Sequence, residues 1–121
     1  KNYHHFFPKA YLEKQKVDFF LINHIANITI VDDFLNKREI GAKAPSVYMK
    51  KFIKQNDDID ETMKTHLILD IETFGVLEND YDRFFRSRIN AICKELKKRI
   101  IVQDGDKMNQ VSNPSEEETE N

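Results

Sequence analysis

The spacing of apolar positions changes along the chain, and the changes divide it into elements. Residues 28–31 read Ile-Thr-Ile-Val, β-branched side chains whose restricted rotamers suit a pleated strand. Tyr3-His4-His5, ahead of Phe6-Phe7-Pro8, reads as an earlier strand whose successive side chains take opposite faces. Pro8 suits the start of a helix at Lys9-Ala10-Tyr11-Leu12, because its fixed φ fits a first helical turn. Residues 16–25 carry Val17, Phe19, Phe20, Leu21, Ile22 and Ile25 and read as a short helix or packed loop.

Helical spacing takes over after the second strand. Asp32 and Asp33 fall where a helix would begin, and Gly41 where it would end, since acids favour a helix N-terminus and glycine accepts positive φ. Pro45 opens a helix to about Gln55, with Val47, Tyr48, Phe52 and Ile53 expected on its buried side. Asn56-Asp57-Asp58 forms a loop and cap for a helix over 59–69 that turns Met63, Leu67 and His66 inward. After a connection at 74–77, Asn79 or Asp80 caps the longest helix, to about Ile101. Its stripe is Tyr81, Phe84, Phe85, Ile89, Ile92, Leu96 and Ile100. Arg88 interrupts that stripe and must be paired or wet; bracing an acidic partner is favoured over reaching a phosphate. The expected fold is α+β: a two-stranded antiparallel hairpin with a crossing helix, surrounded by further helices.

Length and charge refine this picture. A chain of 121 residues supports one core and not two. The formal charge is −2, but residues 103–121 hold six acids and one lysine, a net of −5, which leaves +3 on residues 1–102. A mildly basic body suits a phosphate-bearing partner. The acidic tail at 103–121 lacks apolar periodicity and is expected to be disordered. One cysteine, Cys93, excludes an internal disulfide and fits a reducing cytoplasm, the expected location. No apolar run approaches the ~18 residues of a membrane span. Lys1 stands three residues before the histidines, so the natural protein is expected to extend N-terminally.

Candidate chemistry gathers on the first third of the chain: Tyr-His-His-Phe-Phe-Pro at 3–8, Ala-Asn-Ile-Thr-Ile-Val-Asp at 26–32, and Leu-Asn-Lys at 35–37. Adjacent strand residues cannot share one purpose, so one imidazole can enter a metal shell while the other faces substrate. A His-His pair alone is ordinary surface chemistry. Followed by a proline, an Asn opening a strand and an Asn on a helix, it resembles the HNH, or ββα-metal, nuclease motif. The likeness is closest to the HNH domain at the C-terminal end of GmrSD-type modification-dependent restriction endonucleases, and extends to the HNH module of CRISPR effector nucleases. It covers residues 3–46 and continues through 66–100, where His66-Leu67-Ile68 and Tyr81 to Arg88 resemble the domain's helical tail.

The resemblance implies a metal-dependent DNA endonuclease, residues 1–102, forming the C-terminal part of a larger restriction or anti-phage protein. His4 and Asn36 take the metal-ligand positions, His5 the general base and Asn27 the site-bracing position. His4 stands where the CRISPR pattern carries Asp, while nuclease colicins are similar in using His-His. An imidazole nitrogen with an amide oxygen makes a sparse shell open to water and phosphate. Magnesium or manganese suits the oxygens, and the imidazole also admits zinc, nickel or cobalt. Lys37, Arg38, Lys50 and Lys51 are candidate phosphate contacts, with Tyr48 and Lys54 on the same helix as the last two. The implied partners are DNA and a ParB-like nucleotide-hydrolysing domain or subunit. The competing expectation is a catalytically degenerate HNH-like domain that binds nucleic acid or protein. His24 is weighed as a phosphate contact against a helix-end polar contact, the latter favoured. His66 is weighed as orienting the site against a polar contact in the core or at its rim, again the latter. Asp32 and Asp33 read as caps rather than ligands.

Overall fold

A computed structural model describes residues 2–31 and 40–111. Strand β1 (Asn2–His5) pairs antiparallel with β2 (Ile28–Val31), with His4 opposite Thr29 and His5 opposite Ile28. Between them lie α1 (Lys9–Lys14), α2 (Phe19–Ile22) and a 3-10 turn (Ile25–Asn27). Helices α3 (Pro45–Gln55), α4 (Ile59–Thr65) and α5 (Tyr81–Val111) follow. The architecture is α+β, a two-stranded hairpin among helices. No helix among the described residues is long and apolar enough to cross a membrane.

The core begins where β1 ends. Phe6 and Phe7 follow the strand into a bend, so both rings are buried where strict alternation would expose one. Each ring centroid lies 5.0 Å from that of Phe84 on α5. Tyr48 closes the cluster from α3, its hydroxyl donating to the Phe6 carbonyl. Burying aromatic rings of this size contributes a few kcal/mol each, and here it ties the end of the hairpin to α3 and α5.

Several expected boundaries and faces shift for identifiable reasons. α4 stops at Thr65, not residue 69, because Leu67 adopts φ of 61° and the Ile68 N–H bonds back to Met63, a left-handed cap made without glycine. α3 buries Pro45, Tyr48 and Met49 with Phe52 partly covered, while Val47 and Ile53 are exposed. Ser46, next to Pro45 in its first turn, is fixed by Asn79, whose Oδ1 accepts the Ser46 N–H at 2.9 Å and whose Nδ2 reaches the Ser46 hydroxyl. Asp80 is therefore the cap of α5, its Oδ1 accepting the Arg83 N–H. Gly75, at φ of 75°, lets this turn close, since a Cβ there would stand 3.0 Å from Asp80. α5 runs to Val111 instead of ending near Ile101; its sequence offers no proline before Pro114. Of the expected stripe, Phe84 is buried and Tyr81 packs against the core, whereas Leu96 and Ile100 are exposed; Ala91, outside that stripe, is also buried.

Candidate functional site

The hairpin places two imidazoles at its end, on opposite faces. His4 is half-buried, and its Nε2 is fully enclosed with no hydrogen-bond partner among the described residues. Burial, and secondarily the charge of His5, lowers its pKa below the usual histidine value. The ring is thus held neutral near pH 7, with a nitrogen that no group among the described residues engages. His5, the last residue of β1, has Nε2 2.8 Å from Oδ1 of Asn23, at the end of α2.

Asn27 ties the segments flanking the histidines together. Its side chain is fully buried; Oδ1 accepts the Phe7 N–H at 2.8 Å, and Nδ2 donates to the carbonyls of Phe7 (3.0 Å) and Ile22 (3.1 Å). Its own carbonyl accepts the Phe6 N–H at 2.8 Å. All these groups are internal, so the residue braces the turn rather than contacting a ligand.

The remaining singled-out residues divide clearly. His24 caps the 3-10 turn, its Nδ1 accepting the Ala26 N–H at 3.0 Å, and its ring packs 4.7 Å from Phe85; it is the helix-end polar contact. Arg88 is buried, but its partners are main-chain carbonyls rather than an acid: Nε to His66 (3.1 Å), and Nη1 to Ile25 (3.1 Å) and Ala26 (2.9 Å). The guanidinium belongs to the buried stripe of α5 and joins the end of α4 to the turn before β2. His66, half-buried beside it, has a lowered pKa from burial and from Arg88. Lys50 and Lys51 are exposed on α3. Tyr48, by contrast, is buried with its hydroxyl engaged, which removes it from any surface for nucleic acid. Asn36, Lys37, Arg38, Asp32 and Asp33 lie outside the described residues.

Sequence inspection missed Asn23. No local pattern marks it, because its partner is 18 residues away and only the fold brings the two together. A groove of about 370 Å³, lined mainly by apolar side chains such as Tyr3, Ile25, Ile30 and Leu67 together with His66 and Arg88, borders the hairpin without including His4 or His5. Among the described residues no three His, Cys, Asp or Glu side chains cluster as a metal cage.

No family model and no solved structure matches the chain. It is similar to an uncharacterized protein of Methanocaldococcus jannaschii, 29% identical over 114 aligned residues that cover 83% of this chain and 19% of that protein. The chain therefore spans about a fifth of the length of the relative it matches.

Proposed function

We propose that this chain is a metal-dependent endonuclease domain of the HNH type, acting on DNA within a larger restriction or anti-phage protein. The observation that supports it best is the enclosed Nε2 of His4, without a partner among the described residues, on a strand whose next residue is a hydrogen-bonded histidine. A buried polar atom left unsatisfied costs stability and calls for an explanation. A cation is one explanation, and a neutral imidazole nitrogen is the form that binds it.

On this reading the segment after β2 supplies the helix of the ββα-metal motif, and Asn36 joins His4 as a ligand. A bound magnesium or manganese ion would neutralise the phosphate and the leaving oxygen. His5 accepts the proton of the attacking water, and Asn27 keeps the end of β1 and the chain after it in register with the turn before β2. Lys37, Arg38, Lys50 and Lys51 would meet backbone phosphates, contacts that position the strand without reading sequence. A ParB-like nucleotide-hydrolysing domain or subunit is the proposed companion.

Nicking of supercoiled plasmid with magnesium or manganese tests the reading. Wild-type chain should nick, and His5→Ala should be slower by about a hundredfold or more, the usual share of a general base. Equal nicking by the two proteins, with the variant folded, would sink it.

A further inference from the structure

Helix α2 is a single turn that exposes Phe19, Phe20 and Leu21 and buries only Ile22. Apolar burial anchors it through Ile22 alone, and hydrogen bonds from elsewhere add to that hold. The Tyr81 hydroxyl donates to the Leu21 carbonyl at 2.6 Å, and Asn27 Nδ2 donates to the Ile22 carbonyl at 3.1 Å. The residue that follows these two anchored carbonyls is Asn23.

The Asn23 side chain is not needed as a cap. Its main-chain N–H already bonds the Phe19 carbonyl at 3.1 Å, and its Nδ2 donates to the same oxygen at 3.2 Å. What the second bond adds is orientation. With Nδ2 committed to a carbonyl, Oδ1 is the atom presented to His5 Nε2, 2.8 Å away. An amide oxygen only accepts, so the ring nitrogen facing it must carry the proton, and the neutral ring keeps its lone pair on Nδ1. The two partners are also referenced to one buried residue: the Asn27 carbonyl holds Phe6, next to His5, and its Nδ2 holds Ile22, next to Asn23.

We infer that Asn23 is a positioning residue that locks His5 in the Nε2–H tautomer and so leaves Nδ1 as the nitrogen that receives the water proton, an inference that rests on the nuclease reading above. Removing Asn23 would leave the fold and the base in place but free the ring to rotate and exchange tautomers. A base oriented by a neighbour loses part of its advantage when that neighbour goes.

The test combines ring-nitrogen NMR and nicking on the full chain. With 15N-labelled histidine, at a pH where imidazoles are neutral, His5 signals identified by their loss in His5→Gln should show Nε2–H in the wild type. Asn23→Ala should give mixed tautomers, and Asn23→Asp, which keeps an accepting oxygen, should restore Nε2–H. In manganese, Asn23→Ala should lower kcat about tenfold with KM for plasmid nearly unchanged, and Asn23→Asp should recover most of it. An Nδ1–H ring in the wild type, or identical tautomers in wild type and Asn23→Ala, overturns the inference even if nicking depends on His5. A locked ring in a chain that never nicks overturns the nuclease reading instead, and with it the use of Nδ1 as a base, leaving the contact as architecture.

Discussion

Asn27 grips Phe7 by both of its main-chain polar groups, accepting from the N–H at 2.8 Å and donating to the carbonyl at 3.0 Å across 20 residues of sequence. Two main-chain groups that would otherwise be buried unpaired are satisfied by one carboxamide, which is how a strand of only four residues ends in a fixed place. Asn27→Ala strands these groups and the Ile22 carbonyl together. At about 1 kcal/mol or more for each lost bond, the variant should be destabilised by roughly 3 kcal/mol. Asn27→Asp should do no better, since a carboxylate supplies no donor for the two carbonyls. Urea unfolding measures both, and a loss below about 1 kcal/mol for alanine would contradict the brace.

Arg88 makes the second long-range tie, between the end of α4 and the turn before β2. Arg88→Met keeps the apolar stem but leaves the His66 and Ala26 carbonyls without their donor, while the Ile25 carbonyl keeps the Ile28 N–H, and should cost on the order of 2 kcal/mol. Arg88→Lys should recover only part of this, because an ammonium on a flexible stem cannot reproduce the planar fork. Full recovery by lysine would show that charge, not geometry, holds the turn.

These two residues mark the limit of what the sequence can convey. The β-branched run at 28–31 and Pro45 announced β2 and α3 because their preferences are local. The end of α4 was hidden because Leu67, with no glycine to signal it, takes a left-handed conformation that tertiary packing enforces. The buried face of α3 turned toward Met49 rather than Val47 because neighbouring elements select one of two apolar stripes. Asn27 stood out in the sequence, but the bonds it makes to Phe7 and Ile22 did not. Arg88 was visible only as a charge that needed partners, since main-chain carbonyls leave no mark in a sequence. Asn23 was invisible because its side-chain partner, His5, lies 18 residues away and comes near only where β1 ends.

Tyr48 supports the brace from the other side. Its buried hydroxyl donates to the Phe6 carbonyl, and burial raises its pKa well above the usual tyrosine value, so it remains a donor throughout the accessible pH range. Tyr48→Phe preserves the ring packing and removes one donor, which should cost about 1–2 kcal/mol with an unchanged denaturant slope. Unaltered stability would mean that the Phe6 carbonyl finds another donor.

Stability should fall on mild acidification through His66. Burial first, and Arg88 second, lowers its pKa in the folded chain, whereas an unfolded histidine titrates near 6.5. Below about pH 6.5 the unfolded chain takes up a proton that the folded chain resists, so stability declines until the folded value is passed, and is flat above. His4, lowered for similar reasons, adds a contribution of the same sign. Urea midpoints should drop between about pH 7.5 and about pH 5.5, and His66→Asn should flatten part of that drop. An unchanged slope in the variant would remove His66 from the account.

A metal held by His4 separates the two histidines without any measurement of cleavage. An ion that binds only the folded chain stabilises it by roughly 2.7 kcal/mol when present at about a hundred times its Kd, and for a domain of this size each kcal/mol raises Tm by about 4 °C. Manganese should therefore raise the Tm of wild-type chain. His5→Ala should keep that shift, because the proposed base is not a ligand, while His4→Ala should abolish it. Because His4 is held neutral, binding near pH 7 should release almost no proton from it, and calorimetry in buffers of different ionisation enthalpy would give the same heat. A Tm shift that survives His4→Ala would place the ion elsewhere on the chain, and one lost in both variants would make the adjacent imidazoles joint ligands.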